Sequence, residues 1–135
     1  MSRMLFVNTT ATDIPATREF FSNLGFEFND DFCDDSTLCL VVNESSFVMI
    51  MRPEKFQEFI TGGISDTATE REVLFAVSAE SREAVDALVD KALATGGSPW
   101  QDTQDHGWMY GRSFRDLDGH AWEVSYMDLA ALPAG

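Results

Sequence analysis

The residue best suited to do chemistry is Glu123, an acid placed between large apolar neighbours near the end of the chain. Strand alternation separates Glu123 from Trp122 and Val124, so the acid faces a cavity or a partner and the apolar residues face a core. A carboxylate among apolar groups is costly unless something pairs with it. Glu123 therefore suits a metal ligand, a general base or the anchor of a cationic ligand, or else an acid bonded to an arginine such as Arg112.

Two histidines are the other candidates for chemistry. His106 lies in a polar segment, predicted as a loop over 101–107, and is the candidate catalytic partner of Glu123. A loop histidine is also commonly a solvent-exposed one, so both interpretations stay open. His120 follows the Asp118-Gly119 turn and is predicted to be structural. Two histidines alone do not make a metal site.

The elements that position these residues come in two similar halves. The first half predicts a strand from Leu5, a helix capped by Asp13 and closed by Gly25, and short strands near 26–28, 38–42 and 47–51. The second half predicts a strand from Val73, a helix capped by Ser81, and strands near 98–101, 109–114 and 121–126. Both halves therefore have the order βαβββ.

This repeat predicts an α+β fold in which paired βαβββ modules form curved mixed sheets around a cleft. Residues 1–135 are expected to form a single domain, with module one at about 3–52, a linker at about 53–71 and module two at about 72–128. One amphipathic helix covers only one face of each sheet, which leaves the other face for a cleft or for a second chain.

The predicted strand phases give a set of ligand-binding candidates. These residues either line an adaptable apolar pocket with a few polar groups or form a shared core between two sheets. The candidates are Phe6, Asn8, Phe47, Met49, Met51, Phe75, Trp108, Tyr110 and Arg112.

Composition limits the classes of partner. The net charge of −14 disfavours nucleic acid and anionic membrane surfaces, and only a cationic small molecule gains from it. No run approaches the ~18 apolar residues of a membrane span, and the N-terminus has no signal-peptide pattern. We therefore expect a cytoplasmic protein whose partner is a small molecule.

Several segments together resemble the vicinal oxygen chelate superfamily of glyoxalase I, bleomycin-resistance proteins and extradiol dioxygenases. The similar segments are Asp13-Ile14-Pro15 to Phe20-Phe21, Leu24-Gly25-Phe26, Leu74-Phe75-Ala76-Val77, Thr95-Gly96-Gly97 and Asp116 to Glu123. The run from Gln104 to Phe114 is similar to the branch of predicted lactoylglutathione lyases.

The resemblance implies where a metal would bind. Family ligands come from the first and last strands of each half, at positions that correspond here to Phe6, Met49, Val73 and Glu123. Glu123 is the retained ligand position, because the other three residues are apolar. A divalent metal such as Ni, Zn, Mn or Fe is therefore only a possible cofactor, and a homodimer is the implied assembly.

Three functions follow from these observations. The first is a bleomycin-resistance-like protein that binds a small organic ligand in an inter-sheet cleft. The second is a metal-dependent, lactoylglutathione-lyase-like enzyme in which Glu123 moves a proton and His106 supplies a further ligand. The third is a structural or partner-binding module. An extradiol dioxygenase is the least favoured, since its two-His, one-carboxylate iron site has no counterpart.

Overall fold

The computed structural model describes residues 3–132 and divides the chain into two compact units, which meet in sequence between Ser65 and Asp66. Each unit is built on one mixed β-sheet and one long helix. The predicted α+β fold of two βαβββ repeats is confirmed. The division falls inside the segment predicted as the linker. In residues 3–132, no helix combines the length and the apolar character needed to cross a membrane.

The first unit contains a four-stranded sheet, with 3₁₀ turns at Asp30–Phe32 and Gln57–Phe59. Its strands lie in the order β1-β4-β3-β2, with β1 parallel to β4 and the other pairs antiparallel. The elements are β1 (Leu5–Thr10), α1 (Ile14–Asn23), β2 (Glu27–Phe28), β3 (Thr37–Asn43), β4 (Ser46–Met51) and α2 (Pro53–Phe56).

The start and end of α1 follow from local chemistry. The Asp13 carboxylate accepts a hydrogen bond from the Ala16 amide at 3.0 Å, which satisfies one of the free N–H groups of the first turn. Gly25 follows the helix with φ of 95°, a backbone conformation that favours glycine. The buried face of α1 carries Phe20 and Phe21, and the helix contacts β3.

The second unit repeats this plan and adds a short strand. Its sheet has the order β5-β9-β8-β6, with β5 parallel to β9, and β7 pairs with β8 beside this path. The elements are β5 (Leu74–Ser78), α3 (Arg82–Ala94), β6 (Ser98–Pro99), β7 (Gln104–Asp105), β8 (Met109–Arg115) and β9 (Ala121–Met127), followed by a 3₁₀ turn at Leu129–Ala131. The prediction of a loop throughout 101–107 is therefore wrong at Gln104–Asp105, where main-chain pairing rather than side-chain pattern makes the strand.

One face of this second sheet packs against α3 and forms the core of the unit. Ser81 caps the helix through a 3.0 Å bond from the Ala84 amide to its hydroxyl, and Val85 and Val89 of the helix are fully buried. Trp122 on β9 is 1% exposed and stacks on Phe75 with ring centroids 4.4 Å apart. The core therefore takes the side of the sheet opposite to Glu123.

The turn that leads into β9 is fastened by Asp116. Its carboxylate accepts hydrogen bonds from the amides of Asp118 and His120 and from the Trp122 indole Nε1, each at 3.0 Å. Burial raises the pKa of Asp116. His120 is itself buried, with Nδ1 lying 3.3 Å from a Glu72 carboxylate oxygen. These contacts fix the first residues of β9 and so the direction in which Glu123 projects.

Candidate functional site

The candidate site lies on the face of the second sheet that is turned away from α3. In the strand register, Glu123 of β9 lies directly opposite Ser113 of β8 and beside Ala76 of β5. The neighbouring pair along β9 is Ser125 opposite Gly111. Because alternate residues of a strand share a face, these small residues and the Glu123 carboxylate lie together.

The small residues leave a hollow on this face. It is an open space of about 440 Å³, a figure that includes solvent at its mouth. The lining residues are Ala76, Gln101, Asp102, Gln104, Met109, Gly111, Arg112, Ser113, Glu123, Val124 and Ser125. The enclosed part of this space is about 100 Å³, which has room for one end of a small organic molecule.

Gly111 is the residue that keeps the floor of the hollow open. A Cβ atom added at this position would lie 3.4 Å from the Met109 sulfur and 3.8 Å from the Ser125 Cβ. A larger side chain would therefore occupy space that a ligand needs, and the flexible Met109 side chain would have to move. The absence of a Gly111 side chain is thus a condition for the hollow.

The wall beside Glu123 is held by the hydroxyl of Ser113. This hydroxyl accepts a hydrogen bond from the Gln101 amide at 2.8 Å and lies 3.3 Å from the Gln101 carbonyl oxygen, to which it donates. Further along, Gln104 of β7 lies opposite Gly111 of β8. Ser113 and β7 therefore bring the segment from Gln101 to Gln104 against the hollow.

The opposite face of the sheet holds a network of charges against α3. Arg112 donates to Asp86 at 3.0 Å and to Asp90 at 2.9 Å, and the Tyr110 hydroxyl donates to Asp86 at 2.7 Å. The hydrogen bonds from Tyr110 and Arg112 lower the pKa of Asp86. The Arg112 guanidinium is thus engaged on the helix side, while Arg112 and Val124 are also among the residues that line the hollow.

The Tyr110 and Arg112 side chains contact α3, although Arg112 is among the residues that line the hollow, and contact of either residue with a ligand stays a prediction. Both residues have the same strand parity as Phe114, which lies in the core against Trp122 with ring centroids 6.3 Å apart. Because the parity of Phe114 is fixed by the core, that of Tyr110 and Arg112 follows.

The predicted phase of the strand that begins the second half is corrected. The parallel register pairs Phe75 with Trp122 and Ala76 with Glu123, so Phe75 belongs to the core face and Ala76 to the face of Glu123. Phe6 pairs with Phe47, two residues before Met49, and Leu74 pairs with Ala121, two residues before Glu123. The position that corresponds to Phe6 of β1 is consequently Leu74 and not Val73. Leu74 is as unable to bind a metal as Val73.

His106 and Trp108 lie near the hollow without lining it. The His106 ring nitrogen Nε2 is 3.4 Å from the side-chain oxygen of Gln104, which does line the hollow. Trp108 is half-buried, and its carbonyl oxygen accepts a hydrogen bond from the Asp128 amide at 2.7 Å. A catalytic role of His106 stays a prediction.

The candidates of the first unit share one face of the first sheet. The register pairs Phe6 with Phe47 and Asn8 with Met49, and Met51 has the same parity. The Phe6 and Phe47 rings stack with centroids 5.0 Å apart, and the Asn8 amide donates to the Phe6 carbonyl at 3.3 Å. These five residues therefore share one mainly apolar face, on which Phe47 and Met51 are buried and Phe6 is exposed, and their contact with a ligand stays a prediction.

Comparison with known proteins agrees with this arrangement. The model of the Glyoxalase/Bleomycin resistance protein/Dioxygenase superfamily matches residues 3–124. The chain belongs to this superfamily. No curated protein sequence matches it.

Several solved structures are similar to this chain in fold. A hypothetical protein from S. aureus is 25% identical with a TM-score of 0.79, and the alignment covers 93% of this chain and 95% of that chain. A glyoxalase-related enzyme from Fulvimarina pelagi is 16% identical with a TM-score of 0.78, covering 100% and 94%. The fosfomycin resistance protein FosX from Listeria monocytogenes, solved with Mn(II) and sulfate, is 19% identical with a TM-score of 0.67, covering 96% and 93%.

The residues around Glu123 do not fit the metal centre that some superfamily members have. Divalent transition metals in proteins are held by several imidazole, thiolate or carboxylate groups. The neighbours of Glu123 on its face are Ala76, Ser113 and Ser125, and the other acid that lines the hollow is Asp102, which makes two carboxylates. Across residues 3–132, no three His, Cys, Asp or Glu side chains are grouped so that they could hold a metal ion. No chemical step is therefore assigned to a metal here.

Sequence reasoning missed most of the residues that shape the hollow. Gly111, Ser113 and Ser125 carried a usable signal, because they alternate with Arg112, Phe114 and Val124 on two strands joined by a short turn. Small residues at alternate positions beside Glu123 predict a gap rather than a core. Gln101 and Gln104 carried no such signal, since they lie in a polar segment without periodicity.

Proposed function

We propose that this chain is a small-molecule binding protein whose ligand sits in the hollow of the second sheet, in contact with Glu123. The observation that supports this most directly is the combination of an open, partly apolar hollow with a half-buried carboxylate at its base. Binding sites for small molecules typically combine apolar walls with a few placed polar groups. We also propose that the protein is a cytoplasmic homodimer, as predicted from the resemblance.

The metal-dependent lyase is the alternative, and it needs donors beyond those on the Glu123 face. Binding without chemistry needs only the hollow and its polar groups. The binding function is preferred because it needs no donors that the Glu123 face lacks.

A ligand screen tests the proposal. Purified protein is screened by thermal shift against a panel of amines, carboxylates and neutral aromatics, once with EDTA and once with added Mn²⁺ or Zn²⁺. Hits are mapped by NMR amide shifts. We expect hits in EDTA whose largest shifts fall on Gly111, Ser113 and Ser125, because these residues surround the hollow.

Two glycine variants make the screen decisive. Gly111→Val fills the hollow without altering charge, and we expect it to weaken the mapped hits at least about tenfold, in line with the loss of a buried contact surface. Gly63→Val is the matched control, since a Cβ at Gly63 meets nothing within 4 Å. Hits that bind Gly111→Val as tightly as the unaltered protein would remove the hollow as the site, and hits that require the metal would favour the lyase.

A further inference from the structure

The chemistry of the hollow points to one class of ligand. We infer that the ligand carries an ammonium, amidinium or guanidinium group, which binds to the Glu123 carboxylate while its hydrocarbon part rests on the hollow. This inference rests on the proposed function and adds the charge of the ligand to it.

The first argument is that the Glu123 carboxylate is available to accept hydrogen bonds from a ligand. Within residues 3–132, no hydrogen bond or ion pair engages this side chain. Its cross-strand neighbour Ser113 uses its hydroxyl on the main chain of Gln101, and its other neighbour, Ala76, has no polar group. A half-buried carboxylate without a partner loses part of its hydration, and a cationic donor restores that loss with a charge-assisted hydrogen bond.

The second argument is that three arginines of this unit make contacts elsewhere, and that Lys91 lies in the last turn of α3 and does not line the hollow. Arg112 pairs with Asp86 and Asp90 on the helix side, and Arg82 forms a two-point contact with Asp105. Arg71 lies over the Trp100 ring at 4.5 Å. An anionic ligand in the hollow would be repelled by the Glu123 carboxylate, and these three arginines would not offset that repulsion.

One arginine needs separate consideration, because it has the same strand parity as Glu123. Arg115 lies opposite Ala121, and its Nε donates to the Ser98 hydroxyl on β6 at 3.1 Å. It does not line the hollow, whereas a second acid, Asp102, does. The electrostatic character of the hollow is therefore negative, in the same direction as the net charge of −14.

The third argument concerns the choice between a metal ion and an organic cation. A bare divalent ion needs several donors to replace its water, whereas an organic cation is satisfied by one carboxylate together with van der Waals contact. The sulfur and methylene groups of Met109, the Ala76 methyl and the open floor at Gly111 provide that contact. One carboxylate beside an apolar floor fits the organic cation.

Three compounds of similar shape test the inference. Phenethylamine, 2-phenylethanol and phenylacetate share a ring and a short chain, and differ in charge. Their dissociation constants are measured by NMR titration at low ionic strength in EDTA. We expect the amine to bind about tenfold more tightly than the alcohol, and phenylacetate to bind most weakly, because only the amine gains a charge-assisted contact.

Glu123→Gln tests whether the acid is the cause. It keeps the shape of the side chain and removes its charge, so the preference for the amine over the alcohol should disappear. Glu80→Gln removes the same charge from an exposed position that does not line the hollow and should keep the preference. Equal binding of the alcohol, a persisting preference in Glu123→Gln, or stoichiometric binding of Mn²⁺ or Zn²⁺ at Glu123 would overturn the inference.

Failure of the inference differs from failure of the proposed function. If the alcohol or phenylacetate shifts the amides around Gly111 as strongly as the amine, the hollow binds ligands but does not select cations. If none of the three compounds shifts those amides, and the larger screen also maps nothing there, the binding function itself is wrong, and the inference falls with it.

Discussion

The same position of the fold carries opposite chemistry in the two sheets. In the first sheet, Met49 on β4 lies opposite Cys39 on β3. In the second sheet, the corresponding pair is Glu123 on β9 opposite Ser113 on β8. Met49 and Glu123 each lie on the strand that runs parallel to the first strand of their unit, β4 beside β1 and β9 beside β5.

The next pair along the strands shows the same change. Met51 lies opposite Thr37 in the first sheet, and Ser125 lies opposite Gly111 in the second. Larger, more apolar side chains are thus replaced by smaller or more polar ones at equal positions of an equal backbone. Backbone pairing sets where a site forms, and side-chain volume and polarity decide whether a site forms there.

The faces that pack against the long helices should show the largest effects on stability. Trp122 is 1% exposed, and Val48 at the corresponding position is 3% exposed. We expect Trp122→Ala to lower the free energy of unfolding by about 3–5 kcal/mol, since it leaves a cavity and removes a donor from the Asp116 carboxylate. We expect Val48→Ala to lower it by about 2 kcal/mol. Urea denaturation of both variants measures the difference.

Trp122→Phe is the control that separates packing from hydrogen bonding. It keeps an aromatic ring against Phe75 and removes the indole N–H that bonds to Asp116. Trp122→Phe should lower the free energy of unfolding by less than Trp122→Ala does. If Trp122→Ala costs no more than Val48→Ala, the two helix-facing positions contribute equally, and the assigned importance of the Trp122 stack is wrong.

A reciprocal exchange tests the difference between the two site-facing positions. Met49→Glu places a carboxylate opposite the buried Cys39 and should lower the free energy of unfolding by at least about 1–3 kcal/mol. Glu123→Met removes a partly buried, unpaired charge and should leave stability unchanged or raised, while amine binding is lost. Thermal and urea unfolding of the two variants, run with the unaltered protein, give the comparison. A stability loss in Glu123→Met would show that the acid has a structural partner.

The parts of the fold that the sequence predicts are those with a local cause. Asp13 and Ser81 cap helices, and Asp118-Gly119 makes the final turn, because side-chain oxygens and positive φ act within a few residues. The register of β9 follows from the alternation of Trp122 and Val124 with Glu123. The choice of Glu123 as the centre of the candidate site needed no more than this.

The parts that could not be predicted depend on contacts between distant segments. The run Val73-Leu74-Phe75-Ala76-Val77 is apolar throughout, so its alternation does not reveal which residues face the core. The stacking of Phe75 on Trp122 decides it. In contrast, the direction of Arg112 was predictable, because Phe114 has the same parity, and Asp86 and Asp90 lie one turn apart on the helix.

The smallest expected effect on stability concerns β7. This strand pairs with β8 of the second sheet and forms one wall of the hollow. The two terminal guanidinium nitrogens of Arg82, Nη1 and Nη2, donate to the Asp105 carboxylate at 2.8 Å, and these bonds hold the pKa of Asp105 well below its usual range. A lowered folded pKa stabilises the fold fully at pH values above the unfolded value of about 3.9. This contribution decreases below that pH and is lost as pH falls through the lower folded pKa.

Asp105→Asn should therefore melt at a slightly lower temperature than the unaltered protein at pH 7, and the difference should be smaller at pH 2, because the contribution decreases once pH is below the unfolded pKa. The effect is small because the pair is solvent-exposed and screened. Asp30→Asn, which removes a single contact to Arg18 at 2.7 Å in the first unit, is the matched control and should shift melting less. A difference between Asp105→Asn and the unaltered protein that is equal at both pH values would mean that the Asp105 charge does not hold β7, and that pairing with β8 alone places the wall of the hollow.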